Sequence, residues 1–174
     1  MTEGATDNPL RDLLNGTLSE HDFGVLEHGF VPHGRDYRFV IQDSLCSDPG
    51  TYELVFTHVV DLNYETRVSD QAWRISWADI FTNYANWIVS GEPEGYVFGV
   101  DWSLAYPGIK AQTSSSEAQA WAERVQHPMY SASIETDRFF VSFVFNGVRH
   151  RKVSDELGVI QRVLIPLSPT DKKQ

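Results

Sequence analysis

Large apolar residues occupy alternate positions in the segment from Gly95 to Gly108, which reads GYVFGVDWSLAYPG. The apolar positions are Tyr96, Phe98, Val100, Trp102 and Leu104. A period of two is typical of a β-strand with one face in a core and the other face toward water. We therefore expect the apolar set to face the core and Asp101 and Ser103 to face solvent. The sequence Tyr106-Pro107-Gly108 predicts a turn that ends the strand.

The same alternation predicts a hairpin earlier in the chain. Residues 37–42 form one predicted strand, and residues 52–62 form a longer one. Ser47-Asp48-Pro49-Gly50 lies between them and favours a tight reversal of the chain. His58 falls on the apolar face of the longer strand, so we expect a hydrogen-bonded core histidine there.

The last third of the chain is also rich in predicted strands. Alternation is weak over residues 130–134 and strong over residues 139–145. Because Asn146 and Gly147 both tolerate positive φ, the pair predicts a two-residue hairpin turn. Residues 148–153 are then the predicted return strand, and its basic run of residues 149–152 would protect an exposed sheet edge.

Three segments predict helices. Apolar residues form one stripe over residues 8–18, and they recur at helical spacing over residues 73–88. Ser114 and Glu117 have the spacing of a capping box, with Ser114 as the N-cap of a third helix. The predicted elements therefore alternate between helices and strands along the chain.

The order of these elements indicates an α+β fold with a largely antiparallel sheet packed against two or three helices. A chain of 174 residues fits one domain. We expect this single domain to span residues 8–167, and residues 1–7 and 168–174 to be disordered.

The formal net charge of −10 comes from 24 acidic and 14 basic residues. Such a field repels phosphate backbones, so we expect no nucleic-acid partner. It also steers the chain toward a basic protein partner. The sequence leaves the oligomeric state open.

No targeting or membrane signal is evident in the sequence. No apolar stretch approaches the roughly 20 residues of a membrane helix, and the N-terminal sequence lacks the pattern of a signal peptide. The single cysteine, Cys46, excludes an internal disulfide and fits a reducing compartment. We expect a cytoplasmic protein without membrane contact, in which Cys46 is a small buried hydrophobic residue and not a nucleophile.

No familiar catalytic or metal-binding motif occurs. None of the six histidines forms an HxH, HxxxH or HExxH pattern. His28, His33 and Asp36 share a glycine-rich region, but a metal site requires ligands held by a rigid frame. We therefore expect no catalytic residue, no metal and no cofactor.

Several carboxylates occupy the predicted polar strand faces. Asp61 and Glu65 share one face of the long strand, Asp101 lies on the polar face of the central strand, and Glu92 and Glu94 lie in the loop before it. If these strands are neighbours, the five carboxylates converge on one exposed acidic face. Paired carboxylates can perform acid/base chemistry, but an acidic docking surface is the preferred interpretation.

Several sequence blocks together resemble the YxiG-like family of small, largely uncharacterised bacterial proteins. The blocks are His28-Gly29-Phe30, Arg35-Asp36-Tyr37, FTHVV at residues 56–60, DIFTNY at residues 79–84 and GEPEGYVFGVDW at residues 91–102. The resemblance supplies no catalytic motif. Relatives of this kind occur near genes for polymorphic toxins, which implies an immunity or accessory role.

Charge and resemblance together favour a non-enzymatic acidic binding protein. The leading hypothesis is an immunity or accessory protein that blocks a basic toxin domain. One alternative is an enzyme of unfamiliar type that uses Asp61, Asp101 and His58. The other is a structural module that self-associates through an edge strand.

Overall fold

Alternating inward and outward side chains build eight strands in the described part of the chain. The computed structural model describes residues 22–44, 46–70, 74, 88–89, 91 and 103–155. The strands are β1 (Phe23–Phe30), β2 (Tyr37–Asp43), β3 (Gly50–Thr57), β4 (Asp61–Thr66), β5 (Ser103–Gln112), β6 (Tyr130–Thr136), β7 (Phe139–Phe145) and β8 (Gly147–Ser154). Helix α1 (Ser116–Val125) lies between β5 and β6.

The eight strands form one antiparallel sheet in the order β4-β7-β6-β5-β1-β2-β3-β8. Two very short connections, β3 to β4 and β7 to β8, each join strands six positions apart in this order. In a flat sheet six strand spacings measure about 29 Å, whereas the residues between β3 and β4 reach at most about 14 Å. The sheet must therefore curl until its two ends meet.

Backbone hydrogen bonds join the two ends of the curled sheet. The N–H of Val60 donates to the carbonyl oxygen of Val144 at 3.0 Å, and the N–H of Asn146 donates to that of Thr57 at 3.0 Å. Both bonds lie at the short connections. They hold the end that contains β3 and β8 against the end that contains β4 and β7.

The inner face of the curled sheet encloses an aromatic core. The Phe143 ring of β7 lies 4.6 Å from the Phe56 ring of β3 and 6.0 Å from the Phe39 ring of β2, between centroids. The buried cluster draws on six strands and comprises Phe23, Val25, Tyr37, Phe39, Ile41, Tyr52, Leu54, Phe56, Ala105, Ile109, Ala132, Ile134, Phe139, Val141, Phe143 and Phe145. The predicted inward faces of β2, β6 and β7 are thereby confirmed.

The prediction that Leu104 faces the core and Ser103 faces solvent is wrong. Ser103 is buried, with 6% of its surface exposed, whereas Leu104 is 39% exposed. Phe23 of β1 lies directly opposite Ala105 and fills the interior there, so small side chains on β5 fit beside it. The rest of the segment, including Trp102 and Asp101, lies outside the described residues.

The predicted turn at Tyr106-Pro107-Gly108 is also wrong, because these residues lie within β5. The Tyr106–Pro107 peptide bond is cis, and Gly108 has a positive φ of 90°. The pairing of β5 with β6 shifts register between Ala105 and Ile109. The turn-forming residues therefore make an irregularity in the strand and do not end it.

The predicted hairpin of β2 and β3 is confirmed, but the long strand after its turn is interrupted. His58 has a positive φ of 50° and is exposed, which contradicts its predicted core position. Its N–H donates to the Asp36 carboxylate at 3.0 Å, and this contact draws the backbone out of the ladder. Asp61 then begins β4, which pairs with β7.

The predicted hairpin at Asn146-Gly147 is wrong. The return strand exists as β8, but it pairs with β3 and not with β7. Asn146 is held by Thr57 through its backbone, and its side-chain amide donates to the carbonyl oxygen of Pro128 at 2.7 Å. These contacts direct the chain across to the other end of the sheet. Among the described strands, β8 lies at one end of the sheet order.

One predicted helix lies wholly within the described residues. Ser115, and not the predicted Ser114, caps α1, because its hydroxyl accepts a hydrogen bond from the N–H of Ala118 at 3.1 Å. The helices predicted over residues 8–18 and 73–88 lie outside the described residues, apart from Ile88 and position 74, which are helical. The described part is a single domain with a largely antiparallel sheet, as predicted, but it is mostly β with a minor helical part. The termini predicted to be disordered lie outside the described residues.

Candidate functional site

Small polar side chains form a depression on the outer side of β4, β7, β6 and β5. Register places Asn63, Ser142, Ser133 and Lys110 in one row across these strands. The adjacent row contains Asp61, Val144, Ser131 and Gln112. The resulting cavity has a volume of about 380 Å³. We call it the serine cleft.

Helix α1 closes one end of the serine cleft. Its buried Ala118 packs in a small cluster with Val144 and Met129 on the outer side of the sheet. Its N-terminal residues Ser115 and Glu117 line the cleft. The helix thus converts an open sheet face into a bounded polar depression.

The structure places two of the five predicted acidic residues beside this cleft. Asp61 and Glu65 are exposed on the outer side of β4. The Asp61 carboxylate accepts a hydrogen bond from the Trp121 indole N–H at 3.2 Å, and Glu65 accepts one from the Asn63 amide at 3.1 Å. The other three, Glu92, Glu94 and Asp101, lie outside the described residues.

Two further carboxylates complete what we call the acidic face. The face comprises Asp61, Glu65, Glu117 and Glu135. Glu65 and Glu135 flank Phe140 on neighbouring strands. Sequence reasoning missed Glu117 and Glu135 because their positions depend on the packing of α1 and on the pairing of β6 with β7. Two cations, Lys110 and Arg67, lie on the same side, and Arg67 pairs with Glu135 at 3.7 Å.

Arginines gather on the outer side of β2, β3 and β8. Register places Arg38, Val55 and Arg149 side by side, and it places Glu53 opposite Arg151. The depression at this surface has a volume of about 480 Å³. Its lining residues are Val31, His33, Arg38, Glu53, Val55, Arg149 and Arg151. We call it the arginine depression.

A buried carboxylate orders the cations at the rim of this depression. Asp36 is 0% exposed, yet it accepts hydrogen bonds from the Arg35 Nε at 3.0 Å, from an Arg149 Nη at 3.3 Å and from the His58 N–H at 3.0 Å. Burial by itself raises the pKa of Asp36. Hydrogen bonds from Arg35 and His58, with the charges of Arg35 and His33, outweigh burial and lower the pKa of Asp36 below its ordinary value.

Glu53 performs a similar role inside the arginine depression. Its carboxylate lies 2.7 Å from Arg151 and 3.7 Å from Arg38, and Arg38 also pairs with Glu27. Three guanidinium groups and one carboxylate therefore line the depression. The sequence displayed the basic run of residues 149–152, but which of its members share a face with Arg38 depends on the pairing of β8 with β3.

The enzyme alternative uses carboxylates or histidines around Asp61, Asp101 and His58. His58 lines a third depression, of about 290 Å³, with Val60, Val125, His127, Met129 and Asn146. Asp61 lines the serine cleft. The structure therefore places the two side chains in different cavities, and Asp101 lies outside the described residues.

The family model for YxiG-like proteins matches residues 7–161, which is most of the chain. The chain belongs to the YxiG-like family. The resemblance of its sequence blocks is thereby confirmed. The crystal structure of an uncharacterized protein from Neisseria gonorrhoeae is similar at 9% sequence identity and a TM-score of 0.35, over 76% of this chain and 93% of that one. No curated protein matches the chain.

In this YxiG-like protein, the two histidines of the glycine-rich region, His28 and His33, contact different residues. His28 is half-buried, and its Nδ1 lies 2.8 Å from the Tyr37 hydroxyl. His33 lies 3.7 Å from Asp36. Within the described ranges, no group of three or more His, Cys, Asp or Glu side chains is arranged to hold a metal ion. No described helix has the length and apolar character needed to cross a membrane.

Cys46 follows β2 in this member of the family and is partly buried. Its thiol donates to the carbonyl oxygen of Asp48 at 3.1 Å, and the Tyr52 hydroxyl donates to the same oxygen. Burial is the main cause that raises the pKa of the Cys46 thiol above its usual value. Burial likewise raises the pKa of Tyr52 to about 12. Both groups are therefore neutral at pH 7.

Proposed function

We propose that this member of the YxiG-like family is a non-enzymatic binding protein whose acidic face receives a basic protein partner. An immunity or accessory protein that blocks a basic toxin domain fits this role. The observation that carries the proposal is that Asp61 and Glu117 line one polar depression. Glu65 and Glu135 lie on either side of Phe140, which also lines it. The net charge of −10 gives the whole molecule the same sign.

The negative charge of the acidic face favours fast association with a basic partner. Complementary fields raise the rate of diffusional encounter, whereas the residence time depends on contacts at the centre of the interface. The serine cleft supplies hydroxyl and amide groups at that centre, from Ser131, Ser133, Ser142 and Asn63. Lysine and arginine side chains of a partner can donate hydrogen bonds to these groups and to the surrounding carboxylates.

The experiment compares capture of proteins from the native lysate by three versions of the chain. These are the wild type, Glu65→Lys in the acidic face, and Asp155→Lys just after β8 as a control with the same change of charge. Captured proteins are identified by mass spectrometry, and the association rate of the recovered partner is then measured. Far-UV circular dichroism verifies that each variant is folded.

We expect a basic partner whose association slows in Glu65→Lys and not in Asp155→Lys. Raising the salt from about 0.05 to 0.5 M shortens the Debye length from roughly 14 to 4 Å, so capture by the wild type should weaken. Equal association rates and equal salt dependence in Glu65→Lys and the wild type would overturn the proposal. Turnover of a small molecule that is lost in Asp61→Asn would favour the enzyme alternative instead.

A further inference from the structure

We propose that the arginine depression binds a small phosphate monoester, with the phosphate held by Arg38, Arg149 and Arg151. This site lies on a different surface from the acidic face. Its ligand is therefore separate from the basic partner considered above.

Arg149 and Arg151 retain most of their guanidinium donors for a ligand, whereas both terminal nitrogens of Arg38 lie in ion pairs with Glu27 and Glu53. Arg149 is 69% exposed and Arg151 is 70% exposed, and each uses one terminal nitrogen in an ion pair with a described carboxylate. A guanidinium carries five N–H donors in a planar fork that matches the oxygens of a phosphate. Two arginines on one strand, with Arg38 two strands away, can thus reach a single oxyanion from different sides.

Buried Asp36 and half-buried Glu53 hold these arginines in place. Asp36 binds Arg149 at 3.3 Å, and Glu53 binds Arg151 at 2.7 Å. Because a side chain held by such a contact has already lost much of its rotational freedom, less entropy is lost when a ligand binds. The carboxylates thus position the cations, and the depression still carries more positive than negative groups.

The charge of the whole chain favours a small ligand over a polyanion. A nucleic acid extends beyond the depression and meets the repulsion of a molecule with net charge −10. A monoester carries one or two charges, and at physiological salt it responds to groups within about 8 Å. Around the depression, the four guanidinium groups of Arg35, Arg38, Arg149 and Arg151 outnumber the three carboxylates that pair with them, which belong to Glu27, Asp36 and Glu53.

The apolar lining residues and the volume of the arginine depression indicate an organic phosphate ester and not free phosphate. Val31 and Val55 form part of the lining, so they can contact the carbon skeleton of an ester. The volume of about 480 Å³ lies within the range of small-molecule sites. We therefore expect a phenyl ester to bind more tightly than inorganic phosphate.

The test is a titration of the folded chain with phenyl phosphate, inorganic phosphate and benzoate at constant ionic strength. Binding is measured by calorimetry and by NMR of the arginine Nε–H groups. Phenyl phosphate should bind most tightly and shift the signals of Arg149 and Arg151. The double variant Arg149→Gln/Arg151→Gln should lose about tenfold or more in affinity. Arg151→Lys should retain part of the affinity, because it keeps the charge but lacks the fork.

The matched control is Lys110→Gln/Arg67→Gln, which removes two cations from the side of the acidic face. Its affinity for phenyl phosphate should stay within about twofold of the wild type. Arg151→Gln alone leaves the contact between Asp36 and Arg149 intact, so it reports on binding if the double variant does not fold. Equal affinity in Arg151→Gln and the wild type overturns the proposal. So does benzoate binding as tightly as phenyl phosphate, or tighter binding of a duplex DNA oligonucleotide at 0.15 M salt.

Discussion

Asp36 and His58 are joined by a hydrogen bond from the His58 backbone N–H to the Asp36 carboxylate, 3.0 Å long, although they lie 22 positions apart in the sequence. This contact holds His58 in its positive-φ conformation, at the point where the chain leaves β3 for β4. The same carboxylate binds Arg35 and Arg149. One buried group therefore supports both the closure of the sheet and the arrangement of the arginines.

Replacing Asp36 with alanine should lower the free energy of unfolding by about 1.5–3 kcal/mol, the range for hydrogen bonds that involve a charged group. The contacts of the carboxylate with the His58 N–H, with Arg35 and with Arg149 are all lost. Urea denaturation measures the change. The control Asp48→Ala removes an exposed carboxylate that pairs with Lys152 and should have little effect. Equal stabilities of the two variants would contradict the role assigned to Asp36.

The pH dependence of stability gives a second readout for Asp36. Because folding lowers the pKa of this carboxyl, its contribution is fully present above the unfolded value of about 3.8 and is lost as pH falls through the folded value. Below pH 3.8 the unfolded chain binds more protons than the folded chain. In Asp36→Asn the free energy of unfolding should therefore fall less steeply below pH 3.8 than in the wild type. Urea midpoints measured between pH 6 and pH 2.5 test this.

Protonation of His28 should destabilise the fold. Its ring lies 4.4 Å from the Phe139 ring and 5.8 Å from the Phe39 ring, and burial lowers the pKa of His28 below 6.5. The unfolded chain therefore takes up a proton first, so stability is full above pH 6.5 and declines as pH falls below it. Thermal unfolding of His28→Gln between pH 8 and pH 5 should lack this decline. A decline of the same size in that variant would show that another group causes it.

Phe143→Ala should lower the free energy of unfolding by about 3–5 kcal/mol, because it leaves a cavity among rings from β2 and β3. Phe140 lies three positions earlier on β7 but points to the outer side, where the Arg67 guanidinium lies 5.5 Å from its ring centre. Phe140→Ala should cost only about 1 kcal/mol. Urea denaturation of the two variants tests which face of β7 packs in the core. A larger loss of stability in Phe140→Ala than in Phe143→Ala would show that the opposite face is buried.

Cys46 should react slowly with thiol reagents at pH 7. Its thiol is hydrogen-bonded and has a raised pKa, and only the thiolate is the nucleophile. Reaction with Ellman's reagent should be slower than with a free cysteine peptide, and it should accelerate as the pH is raised toward the raised pKa of the thiol. Cys46→Ser should leave partner capture unchanged. Rapid modification at pH 7 that abolishes capture would contradict this expectation.

Local alternation predicted the strands more successfully than their partners. The sequence of β7 places Phe139, Val141, Phe143 and Phe145 on one face, and that face is buried. Asn146 and Gly147 satisfy the backbone requirements of a hairpin, but their contacts with Thr57 and Pro128 belong to distant parts of the chain. Turn preference is a local property, so it could not reveal that β8 pairs with β3.

The candidate site was predictable only in part for a similar reason. The sequence places Asp61 and Glu65 on one strand face, because residues an even number of positions apart in a strand point to the same side. Glu135 joins them only through the pairing of β4 and β6 with β7. Alternation alone places Ser103 on the wrong side, because the local pattern of large residues does not record that Phe23 already fills the interior opposite Ala105.

The placement of β8 beside β3 has a consequence during synthesis on the ribosome. β3 ends at Thr57, and its second neighbour begins about 90 residues later at Gly147. At about 5–20 residues per second, this interval lasts on the order of 5–20 s. During that time the outer backbone groups of β3 cannot yet pair with β8, and an unpaired strand of this kind is a template for association with other chains. The emerging polypeptide is therefore most vulnerable to aggregation before residues 147–154 have left the exit tunnel.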